Sequence, residues 1–191
     1  LHYSEPPPIS FGSLAEQQGD EGSIVSMGSF SKILAPGLRL GWIQSPANLV
    51  KRLMADGVVS SGGSLSHFSS QVVRHAITLG LQDRHLLHLQ QAYRGRLEAM
   101  HQELRQCMGN IARWQKPQGG YFFWLEMPED FDAVAMRQKA PSFKTGFSAG
   151  PVFSSHGQFG NFIRLSFAHY NEEQIAEGVA RLADLLAAHS G

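Results

Sequence analysis

The chain is poor in the residues that would tie it to several common classes of protein. Cys107 is its only cysteine, so no intrachain disulfide forms, and a reducing compartment fits. Long apolar runs are missing: Tyr121-Phe122-Phe123-Trp124-Leu125 is far shorter than a bilayer requires, and no membrane partner is expected. No charge of one sign dominates, since 16 basic residues face 16 acidic ones. No field therefore draws in nucleic acid or an anionic surface. There is no N-x-[ST] acceptor, no internal repeat, no low-complexity tract, no initiator methionine and no signal peptide. What remains, at 42% hydrophobic and 17% charged over 191 residues, is an ordinary globular composition with room for one or two compact units.

Punctuation and periodicity divide the chain. Residues 1–21, with Pro6-Pro7-Pro8 and several Gly and Ser, read as a loop. Short strands are expected over Ser23–Met27 and Leu38–Gln44, followed by a helix from Pro46 to about Ala55. Residues 57–66 read as a Gly/Ser-rich loop. Ser66 caps a helix that Gly80 stops. The longest helix runs from about Asp83 to Cys107, with Leu86, Leu89, Tyr93, Leu97, Met100 and Leu104 on one face. Beyond it, strands are expected over Ile111–Trp114, Tyr121–Glu126, Thr145–Ser148 and Phe162–Phe167, with a helix near Asp132–Gln138. Asn171 and Gln174 form a capping box for a final helix whose apolar face is Ile175, Val179, Leu182 and Leu186. Two units follow, residues 1–80 and 108–191, bridged by the helix 81–107.

The stretch Ser29-Phe30-Ser31-Lys32-Ile33-Leu34-Ala35-Pro36-Gly37-Leu38-Arg39-Leu40-Gly41-Trp42 carries the chemistry. A lysine amine made nucleophilic by burial or a neighbouring cation condenses with an aldehyde. Hydroxyls and a guanidinium fork hold a phosphate. Taken alone, Ser-x-Ser-Lys is more often a solvated surface turn. The whole string, however, resembles the cofactor-lysine motif of the class I/II aminotransferases, which use pyridoxal 5'-phosphate (PLP). That resemblance makes Lys32 the lysine that bonds the cofactor and moves the substrate proton. It makes Ser29, Ser31 and Arg39 phosphate ligands. A second string, Phe147-Ser148-Ala149-Gly150-Pro151-Val152-Phe153 followed by Arg164-Leu165-Ser166-Phe167-Ala168, resembles the family's small-domain signature and makes Arg164 the clamp on the substrate α-carboxylate. Ala149 stands where the family often has proline, which is expected to loosen that loop. Gly119-Gly120 before an aromatic strand is a third match and is expected to let backbone approach the substrate. His85, His88 and His101 lack the further ligands that a metal site needs.

The resemblance implies an α/β fold: the C-terminal part of the PLP-transferase large domain, then a small α+β domain. The pattern is nearest to 2-aminoadipate and kynurenine-type enzymes. These transfer an amino group from an amino acid to a 2-oxo acid, and the family implies a cytoplasmic homodimer with the loop 57–66 near the subunit interface. The match covers only the family's C-terminal half. The aspartate that pairs with the pyridine nitrogen and the residues around the ring hydroxyl lie upstream in family members. The expectation is therefore a fragment, or the ordered remainder, of a longer enzyme, binding PLP poorly when alone. A β-elimination or racemisation on the same scaffold, the effector domain of a transcription regulator and a non-catalytic binding remnant remain as alternatives.

Overall fold

The computed structural model describes residues 1–3, 9–19, 24–62 and 66–189. The proline run and residues 63–65 of the Gly/Ser stretch lie outside the described residues. Helices and strands mix in an α/β arrangement, and the chain divides into two compact units: residues 5–89, and residues 1–4 together with 90–191. Among the described residues, no helix is long and apolar enough to cross a membrane.

In the first unit, α1 (Phe11–Gln17) starts at Ser10, whose hydroxyl accepts from the Ser13 amide at 3.1 Å. This helix falls where the Pro, Gly and Ser content predicts only loop. The cap supplies what composition conceals, an acceptor for an otherwise orphaned helix amide. Strands β1 (Ser26–Ser29) and β2 (Gly41–Gln44) form an antiparallel ribbon in which Ser29 faces Gly41 and Gly28 faces Trp42. α2 (Ala47–Met54) follows Pro46, and α3 (Gly57–Ser60) forms a single turn inside the stretch expected to be loop. Asp56 makes that turn possible, its carboxylate accepting from the Val58 amide at 2.9 Å. α4 (His67–Thr78) is capped by Ser66, as its sequence predicts.

The helix α5 (Leu81–Met108) runs through residue 89 into the second unit. There Leu97, Met100, Leu104 and Met108 are buried at three- and four-residue steps. They pack in one core with Phe123 and Leu125 of β3 (Phe122–Glu126), Ile163 and Leu165 of β5 (Phe162–Ser166), and the face Ile175, Val179, Leu182 and Leu186 of α7 (Glu172–Ala187). Both halves of the capping box at Asn171 and Gln174 are formed. The sheet order is β3-β5-β4, all antiparallel, with β4 reduced to Ser148–Ala149. α6 (Ala133–Lys139) is capped by Asp132. The strand expected at 111–114 shrinks to one bridge, Arg113 opposite Glu126. Gly109 and Asn110 leave the helix in a turn that reaches Ile111, so the chain extends only briefly.

At the amino terminus of this unit, His2 bridges to Gly119, and the Tyr3 hydroxyl donates to the Gly120 carbonyl at 2.5 Å. A Cβ on Gly119 would lie 2.5 Å from the Leu1 carbonyl oxygen. The close backbone approach that this glycine permits is thus made by the chain's own first residues.

Candidate functional site

The lysine string becomes the loop of the β1–β2 ribbon. Its base is set by Trp42, whose indole lies across Gly28: any Cβ there would sit 2.2 Å from the ring. The Phe30 amide extends the ladder to the Leu40 carbonyl at 2.9 Å. The chain then turns tightly, the Phe30 carbonyl accepting from the amides of Ile33, Leu34 and Ala35 at 3.3, 2.9 and 3.1 Å. Pro36–Leu38 make one 3-10 turn, which a proline with fixed φ and no donor suits. Arg39 ends it in the left-handed region, with φ 48° and ψ 41°.

That conformation folds Arg39 back over the turn. Its Nη1 donates to the Ser31 hydroxyl and to the Pro36 carbonyl, each at 3.3 Å. The Ser29 hydroxyl accepts from the Ser31 amide at 3.2 Å. Ser29, Ser31 and Arg39 are therefore joined by direct contacts, with Lys32 the next residue in the same turn and exposed. Two hydroxyls beside a guanidinium are a donor set that fits a phosphate monoester, and a primary amine follows directly in sequence.

Arg164 lies in the other unit, on the face of β5 turned away from the core. Its guanidinium carbon is 4.0 Å from the centre of the Phe122 ring and 4.2 Å from that of Phe153. Two π clouds thus lie against the cation, worth about 1 kcal/mol per ring. Among the described residues its N–H groups have no hydrogen-bond partner, so the edge of the fork is available to a planar carboxylate. The strand order explains the clamp. Phe122 and Trp124 share a face of β3, Trp124 stands opposite Arg164, and the turn Gly150–Phe153 after β4 brings Phe153 over. Ala149, expected to loosen this loop, is instead 1% exposed and paired with Ile163.

Two features escaped the sequence. Phe122 and Phe153 were legible only as aromatics of a strand and a loop. For Phe122 the alternation with the buried Phe123 and Leu125 was the available signal. Gln82, the second residue of α5, donates Nε2 to the Ile33 carbonyl at 2.7 Å across 49 positions, and nothing local announces such a bond.

Known proteins resemble the chain over most of its length. The family model described as aminotransferase class I and II matches residues 5–182. The aromatic-amino-acid aminotransferase 1 of Thermococcus litoralis is 34% identical over 167 residues, which are 87% of this chain and 40% of that protein. Among solved structures, the kynurenine aminotransferase of Pyrococcus horikoshii, in complex with PMP, is similar with a TM-score of 0.91 at 29% identity, over 100% of this chain and 46% of that one. The α-aminoadipate aminotransferase LysN of Thermus thermophilus, complexed with N-(5'-phosphopyridoxyl)-L-leucine, gives a TM-score of 0.86 at 30% identity over 98% and 48%. The chain spans less than half the length of each of these relatives.

Proposed function

The chain belongs to the class I and II aminotransferase family, and from that premise we propose that the protein transfers an amino group from an amino acid to a 2-oxo acid with PLP as cofactor. The observation that carries this reading is the contact set of Ser29, Ser31 and Arg39 around the turn that presents Lys32. When bound, PLP supplies an aldehyde for a lysine amine and a ring that takes up the electrons left as the substrate α-proton departs.

The chain's own residues have distinct tasks. Ser29, Ser31 and Arg39 hold the phosphate, the arginine through charge-assisted bonds. Lys32 would be the residue that holds the cofactor covalently, and its Nζ would carry the proton from the substrate α-carbon. Arg164 would take the substrate carboxylate edge-on and fix its plane. Phe122 and Phe153 keep the fork in its plane, so little rotamer freedom is lost on binding. Residues 1–80 would then belong to a cofactor-binding domain and residues 108–191 to a small domain, with the helix 81–107 between them.

The finer reading is a cytoplasmic homodimer acting on 2-aminoadipate, kynurenine or related amino acids. The enzymes matched above support the substrate class, and the single Cys107 fits a reducing compartment. An effector domain of a regulator is less favoured, since the turn reads Ala35-Pro36-Gly37 and lacks the Phe-Pro string common in those proteins. Borohydride treatment of the full-length protein with PLP, followed by peptide mapping, tests the proposal. A pyridoxyl label on Lys32 is expected, and label elsewhere or none refutes it.

A further inference from the structure

We propose that Gln82 is a positioning residue for Lys32, holding the lysine turn to the first turn of α5 through the Ile33 carbonyl. The inference rests on the reading of Lys32 as the cofactor lysine. Gln82 sits near the start of an amphipathic helix, where a glutamine ordinarily reaches water, yet it is only 7% exposed. Its Nε2 donates at 2.7 Å to the carbonyl directly after Lys32 in the chain. Its Oε1 is also buried and makes no hydrogen bond among the described residues.

An apolar side chain of the same volume would fill the space without burying a polar amide, so the bond to Ile33 is what explains a glutamine here. The orientation of the amide is also decided: a carbonyl oxygen accepts only from a donor, so Nε2, not Oε1, must face Ile33. What the glutamine provides is one neutral donor placed on one peptide group. A lysine or arginine would donate as well, but would bury a cation with no counter-charge beside it.

The peptide it holds matters because of how the turn is built. The Phe30 carbonyl gathers the amides of Ile33, Leu34 and Ala35, which closes the turn on one side. Those bonds are local and leave the turn free to pivot on the end of a two-stranded ribbon. The Gln82 bond is the long-range one, fixing the plane of the Ile33–Leu34 peptide against a helix 28 residues long. With both in place the direction of the Lys32 Cα–Cβ bond is set. An amine that must meet first an aldehyde carbon and then an α-proton depends on that direction.

The test compares the full-length protein with Gln82→Met, which keeps the length and loses the donor. Without cofactor, amide exchange over residues 30–35 is expected to rise roughly fivefold to tenfold, the factor that one net hydrogen bond supports. With PLP bound, kcat is expected to fall by a similar factor, with KM for the amino acid unchanged and Lys32 still labelled by borohydride. Gln82→Glu, which cannot donate when ionised, should give the same pattern. Unchanged exchange and unchanged kcat in both variants overturn the proposal while label on Lys32 keeps the enzyme reading. No label on Lys32 in the unmodified protein overturns the enzyme reading and this inference with it. Should neither variant fold, a crystal structure of the unmodified protein with PLP decides: Nε2 within hydrogen-bond distance of the Ile33 oxygen supports the proposal, and a side chain turned away refutes it.

Discussion

Arg39 shows how one residue can trade backbone comfort for a side-chain position. A non-glycine residue at φ 48° carries strain of about 1–2 kcal/mol, because its Cβ crowds the following carbonyl. In return the guanidinium is brought back onto Ser31. The substitution Arg39→Gly separates the two effects. Glycine accepts the dihedral without strain, so the folded turn should be stabilised or unchanged in denaturant titration. The phosphate anchor is lost, and in the full-length protein PLP affinity should fall at least about tenfold, the scale of one charge-assisted hydrogen bond. Equal PLP affinity in equilibrium dialysis would show that the guanidinium serves only the turn. The Ser, Lys and Arg of this site were legible in sequence because they crowd into fourteen positions. Gln82, Phe122 and Phe153 were not, since each acts on a partner brought close only by the fold.

At the scale of elements, the loop between α5 and β3 is held to the helix by an aromatic and ionic patch around His101. The Trp114 indole donates to His101 Nδ1 at 3.2 Å, and the imidazole stacks on Phe123 at a centroid distance of 6.2 Å and an interplanar angle of 11°. Nearby, Lys116 pairs with Glu98 at 2.5 Å. Burial holds the His101 pKa below its ordinary 6.5. Lys116 and Arg105 push the same way, and Glu98 opposes them. A folded pKa below the unfolded one means that the unfolded chain binds the proton more readily. The stability contributed is full above about pH 6.5 and is lost as pH falls from there towards the lowered folded value. Urea unfolding near pH 7.5 and near pH 5.5 should therefore show a loss at the lower pH. The variant His101→Asn keeps an acceptor near the Nδ1 position but does not titrate, and it should flatten that dependence. A slope unchanged by the substitution would assign the effect to other groups.

The same scale shows why element boundaries were unevenly legible. α7 was readable to its cap because Asn171 and Gln174 write the terminus into adjacent positions and Ile175, Val179, Leu182 and Leu186 repeat the helical period. α1 was hidden, since it has only Ala15 buried and its single signal is the Ser10 cap. The strand expected at Ile111–Trp114 had the right composition but little length: Ile111 is still in the turn that follows α5, and only Arg113 bridges to the outer edge of β3, at Glu126.

Across the whole chain the burial of apolar side chains is unequal. The unit made of residues 1–4 and 90–191 buries Leu97, Leu104, Met108, Phe123, Leu125, Ile163 and Phe167, each no more than 2% exposed. In residues 5–89, the hydrophobic residues buried among the described ones are Ala15 and Val73, while Phe11, Met27, Val58 and Phe68 are each more than 60% exposed. The ribbon that carries Lys32 is two-stranded, and such a ribbon is marginal in water unless its faces are packed. Local opening should therefore differ between the units. Hydrogen exchange of the 191-residue chain is expected to show slow amides in β3, β5 and α7, and exchange at least about a hundredfold faster in β1 and β2. In the full-length protein with PLP, protection of β1 and β2 should rise towards that of β3, because a bound cofactor stabilises the conformation it selects. Equal protection of both units in the 191-residue chain would mean that the short ribbon is stable by itself. Slow exchange in β3 and α7 with fast exchange in β1 would place the limiting step of cofactor capture in ordering the lysine turn, while the Arg164 clamp stands ready.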